Sequence, residues 1–245
     1  MRTIRIHADQ PLASGDEVTL PAQAGEHVAR VLRLVVGDAL VLFNGDGNDY
    51  PAVLASVGKR EVRARIVDMQ PVGSESPLRL TLAQGVARGE KMDLIVQKAT
   101  ELGVACIAPL LTERSEVRLD PARAEKRLAH WRAVAASACE QSGRAKLPTI
   151  LPAQPLESWL TGLAADGVLR LALLPEGRQT LRSLTFGSSG GVLVVGPEGG
   201  LGERDVDTLR AASFGGLALG PRILRTETAG LAALAALQAL HGDFG

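Results

Sequence analysis

Two short apolar runs near the C-terminus, Val192–Val195 and Leu217–Leu219, each end in a segment crowded with Gly and Pro. The first exits through Gly196-Pro197-Glu198-Gly199-Gly200, the second through Gly220-Pro221-Arg222-Ile223-Leu224-Arg225-Thr226-Glu227-Thr228. A helix-like segment follows each exit. Strands that alternate with helices build a parallel sheet, because parallel neighbours need a long crossover between them. The last third of the chain is therefore confined to an α/β architecture. Two such exits side by side stand where an open α/β sheet binds its ligands. Glycine at 196, 199, 200 and 220 leaves main-chain N–H and C=O groups bare to a flat ligand.

The same pattern reaches back to residue 78. Leu78–Ala83, Ala105–Leu110 and Gly167–Leu174 read as strands, and Lys91–Leu102 as a helix closed by Gly103. Asp120-Pro121 opens a long helix whose apolar seam runs through Ala124, Leu128, Trp131, Ala135 and Ala138 and which Gly143 stops. Residues 1–70 follow a different period. Thr3–His7, Ala39–Phe43, Ala52–Ser56 and Val62–Val67 are short and mostly alternating, with turn signals between them, as in a small barrel. One helix is expected over Glu26–Leu34. Residues 71–77 are a linker by composition. The expected layout is a barrel over 1–70, a linker, and an α/β domain over 78–245.

Charge and cysteine content narrow the function. The 245 residues carry 27 basic and 27 acidic side chains, so a nucleic-acid partner has to be met by a local patch. Two cysteines, Cys106 and Cys139, are too few for a disulfide framework or a zinc site, and both lie in apolar runs that read as core. Trp131 and Trp159 read as core anchors too. The N-terminus lacks the apolar stretch of a signal peptide, and Ala229–Leu240 is too short to span a bilayer, so a cytoplasmic protein is expected. Neither the dinucleotide fingerprint G-x-G-x-x-G nor the phosphate loop G-x-x-x-x-G-K-[ST] occurs in its proper context.

Six segments in order, His27–Arg33, Arg88–Met92, Lys98–Val104, Glu140–Arg144, Gly196–Gly200 and Leu219–Ala229, resemble the trefoil-knot RNA methyltransferases that use S-adenosylmethionine. Within that superfamily they are most similar to the family that methylates N3 of a uridine in 16S ribosomal RNA. The resemblance covers nearly the whole chain. It implies a knotted catalytic domain, an N-terminal PUA-like barrel that binds RNA, and a homodimer in which the partner completes each pocket. It implies no metal and no membrane partner.

The cofactor pocket expected on these grounds comprises Leu174, Gly196, Glu198, Gly199, Gly200, Leu219, Gly220, Ile223, Leu224 and Thr228. Arg225, Glu198 and Glu227 are the expected catalytic groups. Attack by uridine N3 requires loss of its proton. A carboxylate can take that proton, and a guanidinium can face the charge that develops on O2 and O4. The RNA contacts expected are Arg2, Arg30 and Arg33 in the barrel, and Arg88, Lys91, Lys98, Arg114, Gln141 and Arg144 beyond it. Plainer roles stay open for several of these. Glu198 and Glu227 can cap a helix or pair with Arg222 or Arg225, Arg144 can complement a helix end, and Lys91 and Lys98 can be solvated surface. A non-catalytic RNA-binding protein of this fold, and an enzyme acting on transfer RNA, stay open as functions.

Overall fold

The computed structural model describes residues 3–58, 60–116, 120–163 and 167–245. It divides into two compact units, Met1–Glu75 with Ala136–Leu147, and Ser76–Ala135 with Pro148–Gly245.

In the first unit, strands β1 (Arg5–His7), β2 (Glu17–Thr19), β3 (Ala39–Phe43), β4 (Asn48–Val57) and β5 (Val62–Ile66) pair in the order β1-β3-β4-β5-β2. Only the β1–β3 ladder is parallel. Period-two alternation explains the pairing: Val62, Ala64 and Ile66 of β5 point into the core while Arg63 and Arg65 face water. Ile6 from one edge strand and Leu20 just past the other share one core with Leu40, Leu42, Leu54 and Ile66, so the sheet curls on itself. The Gln10 side-chain amide donates to the Thr19 carbonyl (2.8 Å), tying the two edges together. The expected linker begins inside this sheet, because β6 (Gln70–Pro71) pairs with β4.

The helix expected over Glu26–Leu34 is replaced by a shorter helix α1 (Ala22–Glu26) that widens into a π turn over His27–Val31. Leu32 N–H donates to His27 C=O (2.9 Å) and Leu34 N–H to Val28 C=O (3.1 Å). The wider turn breaks the 3.6 period on which the expectation rested. Val28 is fully buried while Val31, three residues on, is 66% exposed. Arg33 then ends the segment in the left-handed region, with φ +54°.

Residues 136–147, the end of helix α3 (Pro121–Ser142) and the segment after it, belong to this first unit. Arg144, 4% exposed, holds the Glu75 carboxylate through both oxygens, with Nε–Oε1 3.1 Å and Nη2–Oε2 2.7 Å. Its carbonyl accepts from Arg5 Nη2 (3.0 Å), and Arg5 also pairs with Asp49. Glu140 accepts the His7 backbone N–H (2.9 Å). Burial holds His7 below the usual imidazole range, against the pull of Asp9 and Glu140.

The second unit is built on a parallel sheet. Its strands are β7 (Leu80–Gly85), β8 (Cys106–Leu111), β9 (Thr149–Ile150), β10 (Gln154–Pro155), β11 (Leu169–Leu173), β12 (Gly191–Val195) and β13 (Gly215–Leu217). They run in the order β10-β8-β7-β12-β11-β13, with β9 also on β8. Alternate side chains feed two cores. Leu82, Ile107, Leu171, Leu193 and Val195 pack with Trp131, helix α2 (Glu90–Glu101) and helix α6 (Thr226–His241). Ala83, Leu110, Ala172, Val192 and Val194 pack with Trp159 of helix α4 (Leu156–Thr161) and Leu209 of helix α5 (Glu203–Ala211). Such near-continuous apolar runs are what a sheet covered on both faces requires. No helix among the described residues is long and apolar enough to cross a membrane.

Candidate functional site

The carboxyl ends of β12, β11 and β13 are neighbours in the sheet, and their exits enclose a cavity of about 630 Å³. All the expected cofactor residues line it except Thr228, and so do Arg225 and Glu227. Thr228 faces an adjoining groove with Ala232 and Leu240. Helix α6 begins at Thr226, and two residues along a helix is a rotation of about 200°, so Thr226 takes the cavity side instead. Leu174, Leu219 and Leu224 supply apolar wall.

The Gly196–Gly200 turn is set by close backbone approach. A Cβ at Gly196 would lie 2.7 Å from the Gly200 carbonyl carbon and the Leu201 nitrogen. Gly200 sits at φ +72°. Below this turn the fully buried Gln84 donates from Nε2 to Gly85 C=O (2.9 Å) and to Thr226 Oγ1 (2.9 Å). Thr226 Oγ1 donates in turn to Gly196 C=O (2.6 Å).

Charge gathers at the mouth. Lys91 Nζ lies 3.2 Å from Glu198 Oε1 and 3.9 Å from Glu227 Oε2. Glu198 also accepts the Arg88 backbone N–H (3.1 Å). Burial pushes its carboxyl up, but the Arg88 and Glu198 backbone N–H groups and the Lys91 ammonium outweigh burial and hold it below the usual carboxylate range. Glu227 differs: its side chain is 14% exposed, and Oε2 has an ion-pair neighbour but no hydrogen bond. Arg114 Nη1 donates to Gly199 C=O (3.1 Å). Arg222 and Arg225 line the cavity with no acidic partner among the described residues.

The expected RNA contacts separate into several environments. Lys91 and Arg114 are part of the cavity wall, Arg88 pairs with Glu116, and Lys98 pairs with Glu101 (2.8 Å). Gln141 is exposed, whereas Arg144 is buried on Glu75, so its charge serves the first unit's interior. Arg30 is exposed and pairs with Glu26, and Arg33 is exposed. Arg2 lies outside the described residues. Neither cysteine lines the cavity. Burial pushes Cys139 up to about 11, opposed by Arg144, and raises Cys106 against a hydrogen bond from Thr81. Thiols so shifted are poor nucleophiles. Sequence reasoning missed Gln84 and Thr226. The signal for the first is an amide inside an apolar run, Leu80-Thr81-Leu82-Ala83-Gln84.

Residues 74–238 match the model of an RNA methyltransferase domain, and residues 20–67 that of an RNA methyltransferase PUA domain. The ribosomal RNA small subunit methyltransferase E of Bacillus subtilis (strain 168) is 32% identical over 246 residues, covering 96% of each chain. A Legionella pneumophila methyltransferase, solved with bound cofactor SAM, is 40% identical with a TM-score of 0.94, covering 99% of this chain and 100% of that one. The ribosomal RNA small subunit methyltransferase E of Neisseria gonorrhoeae, solved with S-adenosyl methionine, is 38% identical with a TM-score of 0.92 over 100% of both chains. With both units matched and the cavity formed where an α/β sheet takes its ligand, this chain belongs to the RNA methyltransferase family that contains ribosomal RNA small subunit methyltransferase E.

Proposed function

We propose that this protein transfers a methyl group from S-adenosylmethionine to N3 of a uridine in 16S ribosomal RNA. The observation that carries the reading is the cavity lining: Arg222 and Arg225, with no acidic partner among the described residues, share it with Glu227, whose Oε2 has no hydrogen bond. The cavity of about 630 Å³, with bare backbone at Gly196 and Gly200 and apolar walls at Leu174, Leu219 and Leu224, fits a nucleoside carrying an amino-acid arm. Bound there, S-adenosylmethionine supplies a methyl group already activated by its sulfonium.

The chain's own groups prepare the other reactant. Glu227, whose Oε2 has the Lys91 ammonium 3.9 Å away but no hydrogen bond, would take the N3 proton on its carboxylate, and the N3 lone pair would then form the new N–C bond while the S–C electron pair stays with sulfur. Arg225 faces the negative charge that N3 shares with O2 and O4. Glu198, committed to Arg88 N–H and Lys91, shapes the mouth rather than accepting the proton. The remote thiols leave direct displacement as the route, without a covalent enzyme intermediate. Exposed Ile223 (89%) and the outward face of α6, with Thr228, Ala232 and Leu240, support a second copy of the chain closing the pocket. The trefoil threading and a cytoplasmic location belong to the same reading.

Single-turnover methylation of 16S RNA at saturating cofactor tests it. Arg225→Ala lowers the rate by about 10²-fold, Glu227→Gln by about 10²-fold or more, and Glu198→Gln by no more than about tenfold because its roles are geometric. Mass spectrometry of the digested product finds the methyl on uridine N3. A methyl on another atom, or near-normal rates for both Arg225→Ala and Glu227→Gln, overturns the assignment.

A further inference from the structure

One polar side chain stands where the sheet has no need of it. Strand β7 lies between β8 and β12, and its neighbours Leu82 and Ala83 are fully buried in the two cores. Gln84 is fully buried beside them. An apolar residue there satisfies packing at no polar cost. The amide instead leaves its Oε1 without a hydrogen bond. The orientation is fixed by its neighbours: Gly85 C=O lies 2.9 Å and Gly196 C=O 3.4 Å from Nε2, and only the NH2 end can face carbonyls. A residue that breaks the local rule and bears an unsatisfied atom calls for a functional reason.

Its contacts supply one. Gln84 is the register partner of Val195, the residue before Gly196. Through Thr226 Oγ1 it meets the first residue of α6, where the second cavity loop ends. Both groups converge on the Gly196 carbonyl, which accepts from Thr226 at 2.6 Å. One buried amide thus pins the end of β7, the Gly196–Gly200 turn and the start of α6.

We infer that Gln84, acting through Thr226, is a positioning residue that sets the spacing of the two loops walling the cofactor cavity. The inference rests on the cavity being the cofactor site. Without the brace, the Gly196 carbonyl loses its donors and the loops occupy spacings that do not bind. Apparent affinity falls by the fraction of molecules still competent.

Calorimetric titration of the full chain with S-adenosylmethionine tests this, alongside single-turnover methylation and thermal melting. Thr226→Val keeps the side chain's shape and removes the hydroxyl. It weakens cofactor binding by about tenfold or more, and the rate at saturating cofactor falls less than the affinity does. Thr226→Ser, which keeps the hydroxyl, restores most of the affinity. Gln84→Glu places a carboxylate against two carbonyls and burial raises its pKa, so only its protonated form can donate. Its cofactor affinity relative to the wild type's therefore improves as pH is lowered from about 8 to about 6. A trend of this kind cannot come from packing alone. Wild-type affinity in folded Thr226→Val, or a flat pH profile with wild-type affinity in Gln84→Glu, overturns the brace. Absence of binding by the wild type overturns the cavity reading and the inference with it.

Discussion

Arg30 and Arg33 differ more than their spacing suggests. Arg30 stands within one turn of Glu26 and shares its charge with it. Arg33 sits at φ +54° with no acidic partner among the described residues, beside the exposed Val35 and Val36. An unpaired cation gains the most from a phosphate, because it gives up no existing partner and releases bound counterions. Arg33→Gln should therefore lower the log–log salt slope of RNA binding by roughly one, and Arg30→Gln by less. Equal slopes in a salt titration of both variants would remove the distinction. The basic character of this segment was legible in the sequence; the pairing state was not, since it depends on where a π turn points each side chain. At the other end of the chain, residues 219–229 announce a pocket by Gly220 and two arginines, but choosing Thr226 over Thr228 requires knowing where α6 starts.

At the scale of elements, the alternation of apolar runs with helical segments was enough to locate β7, α2, β8, α3, β11 and β12 to within a few residues. Periodicity is a local property, and those elements obey it. It failed where a tertiary constraint wins: at the π turn, and at β6, whose two residues gain strand character only by pairing with β4. The glycine-rich turn repeats this lesson. All its glycines look alike in sequence, yet a Cβ at Gly196 would strike backbone at 2.7 Å whereas one at Gly199 would meet the Arg114 Cβ at 3.1 Å. Backbone cannot yield there without moving the turn; a side chain can. Gly196→Ala should abolish measurable cofactor binding in calorimetry and lower the melting temperature, and Gly199→Ala should weaken binding by no more than about tenfold. The reverse order of severity would mean that the turn, as described, does not shape the cavity.

On the scale of the whole molecule, no local signal in the sequence assigns residues 136–147 to the first unit. The segment Glu140–Arg144 reads as the close of a helix with Gln141 and Arg144 turned to RNA, and only contacts far apart in sequence turn Arg144 inward onto Glu75. Removing one partner of a buried ion pair leaves the other uncompensated, at a cost of about 3–5 kcal/mol. A fragment of residues 1–75 should therefore show no cooperative melt, and Arg144→Met in the full chain should lower the melting temperature by several degrees. A 1–75 fragment that unfolds cooperatively near the full chain's temperature would show that the segment is dispensable. The same arrangement bears on birth order. Glu75 and Arg144 are 69 residues apart, which is roughly 3–14 s of translation at 5–20 residues per second. Until Arg144 emerges, a nascent module that is already nearly whole carries an open seam, while β7, α2 and β8 are being made beside it. The part of this protein that is translated first thus cannot close until residues 136–147 have been made, and the seam is where a chaperone or a protease has its opportunity.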